Sequence, residues 1–223
     1  MKKLLSLALV AAMTMSLLAG CAGSGNADNT DTNAATEDAA TETAAADGET
    51  FKIGGIGPIT GGAAVYGIAV KNGAELAIKE INEAGGINGY QIEYNFQDDE
   101  LDNEKSVNAY NSLKDWGMNM LVGSVTSGCC IAVAAESKND NMFQITPSGS
   151  SVDCINGNEN VFQVCFTDPN QGVGAAQYIG ENNVASKVAI IYDSSDVYSS
   201  GIYAKFVEEA ANQNFEIVST ESF

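Results

Sequence analysis

The stretch that decides the fold is Leu121–Ser151, LVGSVTSGCCIAVAAESKNDNMFQITPSGSS. Its apolar start completes a predicted β-strand, Met118–Gly123, and its small residues then predict a helix over about Ser127–Lys138. A second strand is predicted at Met142–Ile145, and a turn rich in hydroxyl side chains follows each strand. In an open α/β sheet, ligands bind outside the carboxyl ends of the strands. We therefore expect both turns at one ligand-binding edge.

The two turns carry hydroxyl groups and no charge. The side chains concerned are Thr126, Ser127, Thr146, Ser148, Ser150 and Ser151. Hydroxyls, backbone N–H groups and a helix N-terminus together suit a small polar ligand. The alternative is that these residues only cap helices and fill turns, which Ser and Thr do in many proteins.

The rest of the chain alternates between strand and helix patterns. Further strands are predicted at Phe51–Ile56, Tyr90–Phe96, Phe162–Phe166, Lys187–Tyr192 and Phe215–Ser219. Further helices are predicted at Ile68–Ala84, Asp102–Trp116, Pro169–Glu181 and Ile202–Gln213, with Asp102 as an N-cap. This alternation predicts a parallel, doubly wound α/β architecture.

The last part of the chain, after residue 187, carries a buried-strand pattern and an incomplete sheet. The apolar run Val188–Ile191 is typical of a strand that is buried on both faces of a parallel sheet. The pattern stops at Phe223, just past a strand, and leaves half a sheet. We therefore expect the chain to be the front part of a longer protein or the product of a truncated gene.

The N-terminus has the pattern of an exported lipoprotein. Lys2 and Lys3 precede the apolar run Leu4–Leu18, which is shorter than the roughly 20 residues that span a bilayer. The sequence Leu-Ala-Gly-Cys ends this segment and matches the bacterial lipobox. It predicts a signal peptide at residues 1–20 and a lipid on Cys21; the alternative is ordinary cleavage beside an incidental cysteine. Residues 21–50, rich in Ala, Thr and acids, predict a disordered tether.

Composition excludes several functions. The chain has 29 acidic residues, 10 basic residues that are all Lys, and no His. This balance argues against nucleic-acid binding, and it removes the commonest general base and the commonest zinc ligand. We therefore predict no metal and no cofactor. Export permits disulfides, and a Cys154–Cys165 bridge is possible, whereas the adjacent Cys129 and Cys130 are better explained by buried packing.

The glycine-rich segment Gly54–Gly61 was compared with a dinucleotide-binding loop. The G-x-G-x-x-G spacing that starts at Gly55 places Thr60 where the third glycine belongs. Pro58 also removes a backbone N–H group that would have to hold a pyrophosphate. The sequence therefore does not predict a dinucleotide site.

Seven ordered motifs carry a family resemblance. They are FKIGGIGPITGGAAVYG, GAELAIKEINEAGGINGY, FQDDELD, VGSVTSG, ITPSGSS, FTDPNQG and AIIYDSSDVYSSG. Together they resemble the solute-binding proteins of branched-chain amino acid ABC transporters, which have the type I periplasmic-binding fold. The resemblance implies two doubly wound lobes that close on an amino acid. It places lobe I at residues 51–167 and an incomplete lobe II at residues 168–223.

The resemblance also implies roles for residues of the two turns. Ser127 matches a serine at a helix start that binds the ligand carboxylate. Ser150 matches a residue that contacts carboxylate and ammonium through its hydroxyl and backbone N–H. Ser148 and Gly149 match the two small residues before it, and the first of them offers a carbonyl to the ammonium.

Two tyrosines are implied on the other walls of the pocket. Tyr66, at the end of the first predicted loop, matches an aromatic residue that lines the pocket. Tyr198, in the predicted loop Asp193–Ser200, matches a tyrosine that the second lobe brings over the ligand. The family's acid that pairs with the ammonium is expected beyond Phe223.

These expectations define one function and two alternatives. The chain is predicted to be a binding protein, lipid-anchored on the outer face of the cell membrane, that captures a small amino acid and delivers it to an ABC permease. The first alternative is a ligand sensor of the same fold that signals to a receptor. The second is a hydrolase that uses Ser127 or Cys129, but it lacks a histidine base. We therefore predict that the chain is not an enzyme.

Overall fold

A computed structural model of the chain describes residues 49–223. The predicted signal peptide, the predicted lipidation site Cys21 and nearly all of the predicted tether lie outside the described residues. The tether prediction extends one residue too far, because the first strand already begins at Thr50. Over the described range, no helix is both long enough and apolar enough to cross a membrane.

Strands and helices alternate along the described residues. The strands are β1 (Thr50–Gly57), β2 (Gln91–Asp98), β3 (Met120–Val122), β4 (Gln144–Thr146), β5 (Val161–Gln163), β6 (Lys187–Tyr192) and β7 (Glu216–Ser222). The helices are α1 (Ala64–Glu83), α2 (Asn103–Trp116), α3 (Ser127–Asn139), α4 (Asp168–Glu181) and α5 (Val197–Ala210). A 3-10 helix of three residues, Val152–Cys154, follows the turn after β4.

The strands form two parallel sheets. Five of them have the order β2-β1-β3-β4-β5, and β6 pairs with β7. All pairs between these strands are parallel, which confirms the predicted α/β class. The order reverses between β1 and β3, so the loops after these strands leave the sheet in different directions and open a crevice. The domain boundary predicted between residues 167 and 168 stays a prediction.

The core of the five-stranded sheet is formed against α2 and α3. Ala109, Tyr110 and Leu113 of α2 are buried at the three- and four-residue spacing of one helix face. They pack in one cluster with Leu121 of β3 and Val133 of α3. The hydroxyl of Tyr110 donates to Asp140 at 2.9 Å, so this buried tyrosine keeps a hydrogen-bond partner.

Aspartate caps set the starts of α2 and α5. The Asp102 side chain accepts a hydrogen bond from the Lys105 N–H at 2.9 Å, which confirms the predicted N-cap. The Asp196 side chain accepts from the Ser199 N–H at 3.1 Å in the same way. The sequence prediction overlooked this second cap and began the helix at Ile202. Tyr198 therefore lies in the first turn of α5 and not in a loop.

Helix α1 begins four residues before its predicted start at Ile68, so Tyr66 also lies in a helix and not at the end of a loop. The cause is Gly67, whose Cα faces the backbone of Pro58 so closely that a Cβ would collide with the Pro58 carbonyl. The glycine lets the first turn of the helix lie directly against the loop that follows β1. The prediction treated Gly67 as a loop residue because glycine disfavours helices.

The prediction that β6 is buried on both faces is wrong for the described residues. Val188, Ile190 and Tyr192 are half-buried, whereas Ile191 points away from the helices and is 73% exposed. Tyr192 stacks on Tyr203 of α5 with 4.0 Å between ring centroids, which marks the covered face. The two-stranded sheet thus has one face packed on helices and one face open.

Two glycines of α1 provide a matched test of this packing. Gly67→Ala should lower the free energy of unfolding by roughly 1–3 kcal/mol, because the new methyl group overlaps the Pro58 carbonyl. Gly73→Ala should raise it by about 0.5–1 kcal/mol, because no heavy atom lies within 4 Å of the new methyl and alanine favours the helix. Urea denaturation measures both changes. Equal stabilisation by the two substitutions would contradict the described start of α1.

Candidate functional site

The two hydroxyl-bearing turns meet at the carboxyl edge of the five-stranded sheet. β3 and β4 are parallel neighbours, so the turns that follow them emerge side by side. The hydroxyl of Thr146 donates to the Ser124 carbonyl at 2.7 Å, and that of Ser148 donates to the Val125 carbonyl at 2.6 Å. Side chains of the second turn are therefore hydrogen-bonded to the backbone of the first turn.

Ser127 completes the connection from the opposite direction. Its hydroxyl oxygen accepts hydrogen bonds from the backbone N–H groups of Ser150 and Ser151, both at 3.1 Å. A serine hydroxyl has two acceptor positions and one donor. Because the two N–H groups fill both acceptor positions, the remaining capacity of Ser127 is its O–H donor. This buried hydroxyl is therefore set to donate to an acceptor such as a carboxylate.

The N-terminus of α3 adds to this preference for an anion. Ser127 is the first residue of this 13-residue helix, where the helix dipole favours negative charge. Thr126 occupies the N-cap position, yet its side chain makes no capping hydrogen bond. Its hydroxyl is buried and has no partner among residues 49–223. Two neighbouring hydroxyls at a helix N-terminus thus keep unused hydrogen-bonding capacity.

Gly149 has a packing role in this arrangement. Its N–H donates to the Thr146 hydroxyl at 2.9 Å, and its carbonyl accepts from the Gln163 side chain at 2.5 Å. A Cβ at this position would lie 2.7 Å from the Thr146 hydroxyl and 3.1 Å from the Cβ of Cys130. The close approach requires glycine, and both backbone polar groups are used within the protein.

The backbone N–H of Ser150, which the resemblance predicts to contact the ligand, is also hydrogen-bonded within the protein. Its N–H donates to Ser127, and its carbonyl accepts from the Asp168 N–H at 2.9 Å. The hydroxyl of Ser150 is the polar group that remains, and it lies near enough to Asp168 to lower the pKa of that carboxyl. Within the described part of the chain, the Ser148 carbonyl accepts no hydrogen bond, so it remains available as an acceptor.

Asp168 is the residue that sequence reasoning missed. It is 2% exposed, and neither of its carboxylate oxygens has a hydrogen-bond partner among residues 49–223. Burial raises the pKa of the Asp168 carboxyl, and Asp196 adds to the rise, while the nearby Ser150 side chain opposes it. In the sequence pattern, Asp168 is only the first residue of the predicted lobe II. An acidic residue directly after the predicted lobe boundary was the available signal.

A cavity of about 280 Å³ adjoins Asp168. It lies between the 3-10 helix and the first turns of α4 and α5, and its lining includes Ser151 and Gly201. Lys205 also lines it, but the ammonium group of Lys205 pairs with Glu208 at 2.6 Å. Asp168 therefore borders a space large enough for a small ligand, although both of its carboxylate oxygens are shielded from solvent. Among residues 49–223, no lysine forms an ion pair with it.

A second cavity, of about 420 Å³, has a different character. It lies between β6 and the helices α4 and α5, and it is lined mainly by apolar side chains such as Ile190, Ile202 and Phe206. It contains no charged side chain that could meet a carboxylate or an ammonium. We therefore interpret this cavity as a gap in the packing between the two-stranded sheet and its helices, and not as a ligand site.

The structure does not connect the two tyrosines to the serine turns. Tyr66 is 63% exposed on α1. Tyr198 is 41% exposed on α5, and its hydroxyl donates to the Gln171 side chain at 3.4 Å. In residues 49–223, no hydrogen bond joins either tyrosine to the turns. Of the predicted site residues, the structure brings together Ser127, Ser148, Gly149 and Ser150.

The surroundings of the site offer little for covalent chemistry. Cys129, one turn into α3, is buried, and burial raises the pKa of its thiol, which disfavours the nucleophilic thiolate. The chain has no histidine to act as a base. Over residues 49–223, no three His, Cys, Asp or Glu side chains are grouped to hold a metal ion. The arrangement is suited to reversible binding of a small ligand.

Comparisons with known proteins agree with this geometry. A family model described as periplasmic binding protein matches residues 50–223. The Leu/Ile/Val-binding protein homolog 3 of Brucella melitensis is 36% identical over 155 residues, which are 69% of this chain and 42% of the relative. The leucine-, isoleucine-, valine-, threonine-, and alanine-binding protein of Pseudomonas aeruginosa is 33% identical over 73% of this chain and 44% of its own length.

A solved structure supports the same relationship. The branched-chain amino acid transporter substrate-binding protein LivJ of Streptococcus pneumoniae, in complex with isoleucine, aligns with a TM-score of 0.74 and 33% identity. The alignment covers 78% of this chain and 50% of LivJ. The chain thus spans about half the length, or slightly less, of the proteins it matches.

Proposed function

The chain belongs to the periplasmic binding protein family, and on that premise we propose that it is the extracytoplasmic solute-binding component of an ABC importer. Its ligand is a small amino acid, with branched-chain amino acids as the first candidates, and its partner is the membrane permease that receives the ligand. The observation that carries the proposal is the Ser127 hydroxyl, whose acceptor positions are filled by two backbone N–H groups. The leucine- and isoleucine-binding relatives support the choice of ligand.

The ligand carboxylate is received at the N-terminus of α3. The hydroxyl of Ser127 donates to one carboxylate oxygen, and the unpartnered hydroxyl of Thr126 lies next to it. The Ser150 hydroxyl is the third donor at this point. Hydrogen bonds to a charged acceptor are stronger than those to a neutral one, and the helix dipole adds to them. This arrangement holds a carboxylate without an arginine, which the chain does not contain.

The ligand ammonium is received by acceptors on the second turn. The Ser148 carbonyl is free to accept a hydrogen bond, and the unpaired carboxylate of Asp168 supplies a full negative charge. A buried carboxylate without a partner destabilises the unliganded protein, and a bound cation removes that penalty. Asp168 thus serves as an ammonium partner within this chain, in addition to the acid that the resemblance places beyond Phe223. Tyr66 and Tyr198 are assigned to the outer walls of the pocket, where they cover the ligand side chain.

The chain is anchored to the membrane by a lipid on Cys21. The lipobox at Leu18–Cys21 and the polar, acidic sequence that follows it support this assignment. The residues between this lipid and the domain are few enough to keep the binding site close to the membrane and its permease.

The central test of this function compares two neighbouring serines. Ser127→Ala should weaken binding of isoleucine by about 10–150-fold, because it removes one hydrogen bond to a charged group. Ser151→Ala is the control, because the Ser151 hydroxyl only accepts a hydrogen bond from the Asp153 N–H at 3.3 Å. Titration calorimetry on the folded variants measures both affinities. Small and equal effects would mean that the turns have a structural role alone.

Asp168→Asn separates ligand binding from stability. Because the pKa of Asp168 is raised in the folded protein, ionising this carboxyl at neutral pH disfavours the folded state. The neutral amide removes that cost, so the unliganded variant should melt at the same temperature as the wild type or higher. Its affinity for isoleucine should nevertheless fall by about 10-fold or more, since a charge-assisted contact is lost. A variant that binds as tightly as the wild type would remove Asp168 from the site.

The lipid anchor has its own test. Expressed in a bacterial host, the wild-type chain should enter the detergent phase on Triton X-114 partition, because two acyl chains on one cysteine hold a protein firmly at a membrane. Cys21→Ser should move it to the aqueous phase. An unchanged partition would refute lipidation at this residue and leave the ligand site unaffected.

A further inference from the structure

Two cysteines are buried together directly beneath the serine turns. Cys130 lies in the first turns of α3, Cys154 ends the 3-10 helix after the second turn, and both are 0% exposed. A Cβ built on Gly149 would lie 3.1 Å from the Cys130 Cβ and 3.4 Å from the Cys154 sulfur. Both side chains therefore border the same small space behind Gly149. As free thiols they leave the two turns without a covalent link.

The two thiols influence each other's ionisation. The proximity of the two groups lowers the pKa of Cys130 and raises the pKa of Cys154. The Gln144 side chain also donates to the Cys130 sulfur at 3.6 Å, and the Cys154 thiol lies 3.8 Å from the Ser127 carbonyl. Cys130 is therefore the thiol of the pair that reaches the thiolate form more readily.

The other two described cysteines have different surroundings. Cys129 lies among Ser106, Thr126 and Asp99, and burial is the leading cause that raises the pKa of its thiol. Cys165 is half-buried on the segment between β5 and α4, where Cys130 contributes to the rise of its pKa, but no hydrogen bond joins it to the pair within residues 49–223. Cys130 and Cys154 are the two thiols that border the space behind Gly149.

We propose that Cys130 and Cys154 form a disulfide in the exported protein, and that this bond joins the two turns of the candidate site to each other. The bond would connect the helix that begins at Ser127 to the segment that follows Ser148–Ser151. It differs from the Cys154–Cys165 pairing that the sequence alone made possible. It does not depend on which ligand the turns bind.

The oxidant is a low-molecular-weight disulfide of the extracytoplasmic space. The Cys130 thiolate attacks one sulfur of the small disulfide, forms a mixed disulfide and releases one small thiolate, which takes up a proton. Cys154 then loses its proton to solvent, and its sulfur attacks the Cys130 sulfur and displaces the second small thiol. Two protein thiols are oxidised to one disulfide, and one small disulfide is reduced to two thiols. The small disulfide reaches the pair before the turns close over it during folding, so either thiol can react first and the balance is the same in both orders.

The decisive experiment is peptide mapping of the full 223-residue chain. The chain is refolded with oxidised glutathione, quenched with acid, alkylated, and digested without reduction. Trypsin leaves Cys154 and Cys165 on one peptide because no lysine lies between them, so a glutamate-specific protease is added to cut after Glu159. We expect a cross-linked peptide that joins the segment of Cys130 to that of Cys154, with Cys165 alkylated.

Adjacent cysteines provide the matched variants. Cys129→Ala should keep the cross-link, and Cys130→Ala should abolish it, which assigns the bond within the Cys129–Cys130 pair. Oxidation should raise the melting temperature of the wild type and of Cys129→Ala by roughly 6–12 °C over the reduced forms, and leave Cys130→Ala unchanged. Complete alkylation of Cys130 and Cys154 in the oxidised wild type would overturn the proposal. A Cys154–Cys165 cross-link would overturn it equally.

Discussion

Two backbone N–H groups that donate to a single hydroxyl oxygen are the interaction on which the site depends. The N–H groups of Ser150 and Ser151 come from the turn after β4, and the oxygen is that of Ser127 at the start of α3. The contact fixes the second turn against a helix N-terminus and leaves the O–H donor of Ser127 as its remaining hydrogen-bonding capacity. In the proposed function, this donor binds the ligand carboxylate. The hydroxyls of Thr146 and Ser148, which belong to the same second turn, reinforce this contact by donating to backbone carbonyls of the first turn.

The strand and helix pattern of this fold could be predicted from the sequence, because apolar periodicity and helix caps are local. Lys187–Tyr192 is a strand with the predicted bounds, and Asp102 caps α2. The start of α1 could not be predicted in this way, whereas the start of α5 could have been. The start of α1 depends on how closely Gly67 approaches Pro58, a contact between residues nine positions apart. The start of α5 depends on the Asp196 cap, which was visible in the sequence and overlooked.

The candidate site shows the same division. Hydroxyl groups at the ends of two neighbouring strands could be located from the sequence, because parallel strands end at the same edge. The sequence could not show which hydroxyl already accepts hydrogen bonds within the protein, because the hydrogen bond from Ser150 to Ser127 joins residues 23 positions apart. Asp168 escaped notice for a related reason. An aspartate at a helix start usually serves the helix, and only the fold reveals that its carboxylate is buried without a partner.

The proposed function requires simultaneous recognition of a carboxylate and an ammonium, and one calorimetric series tests this most directly. The 223-residue chain is titrated with isoleucine, with 3-methylpentanoic acid, which lacks the ammonium, and with 2-methylbutylamine, which lacks the carboxylate. All three share the same branched side chain. The account predicts that each analogue binds at least about 10-fold more weakly than isoleucine, since each loses charge-assisted hydrogen bonds. An analogue that binds as tightly as isoleucine would contradict it.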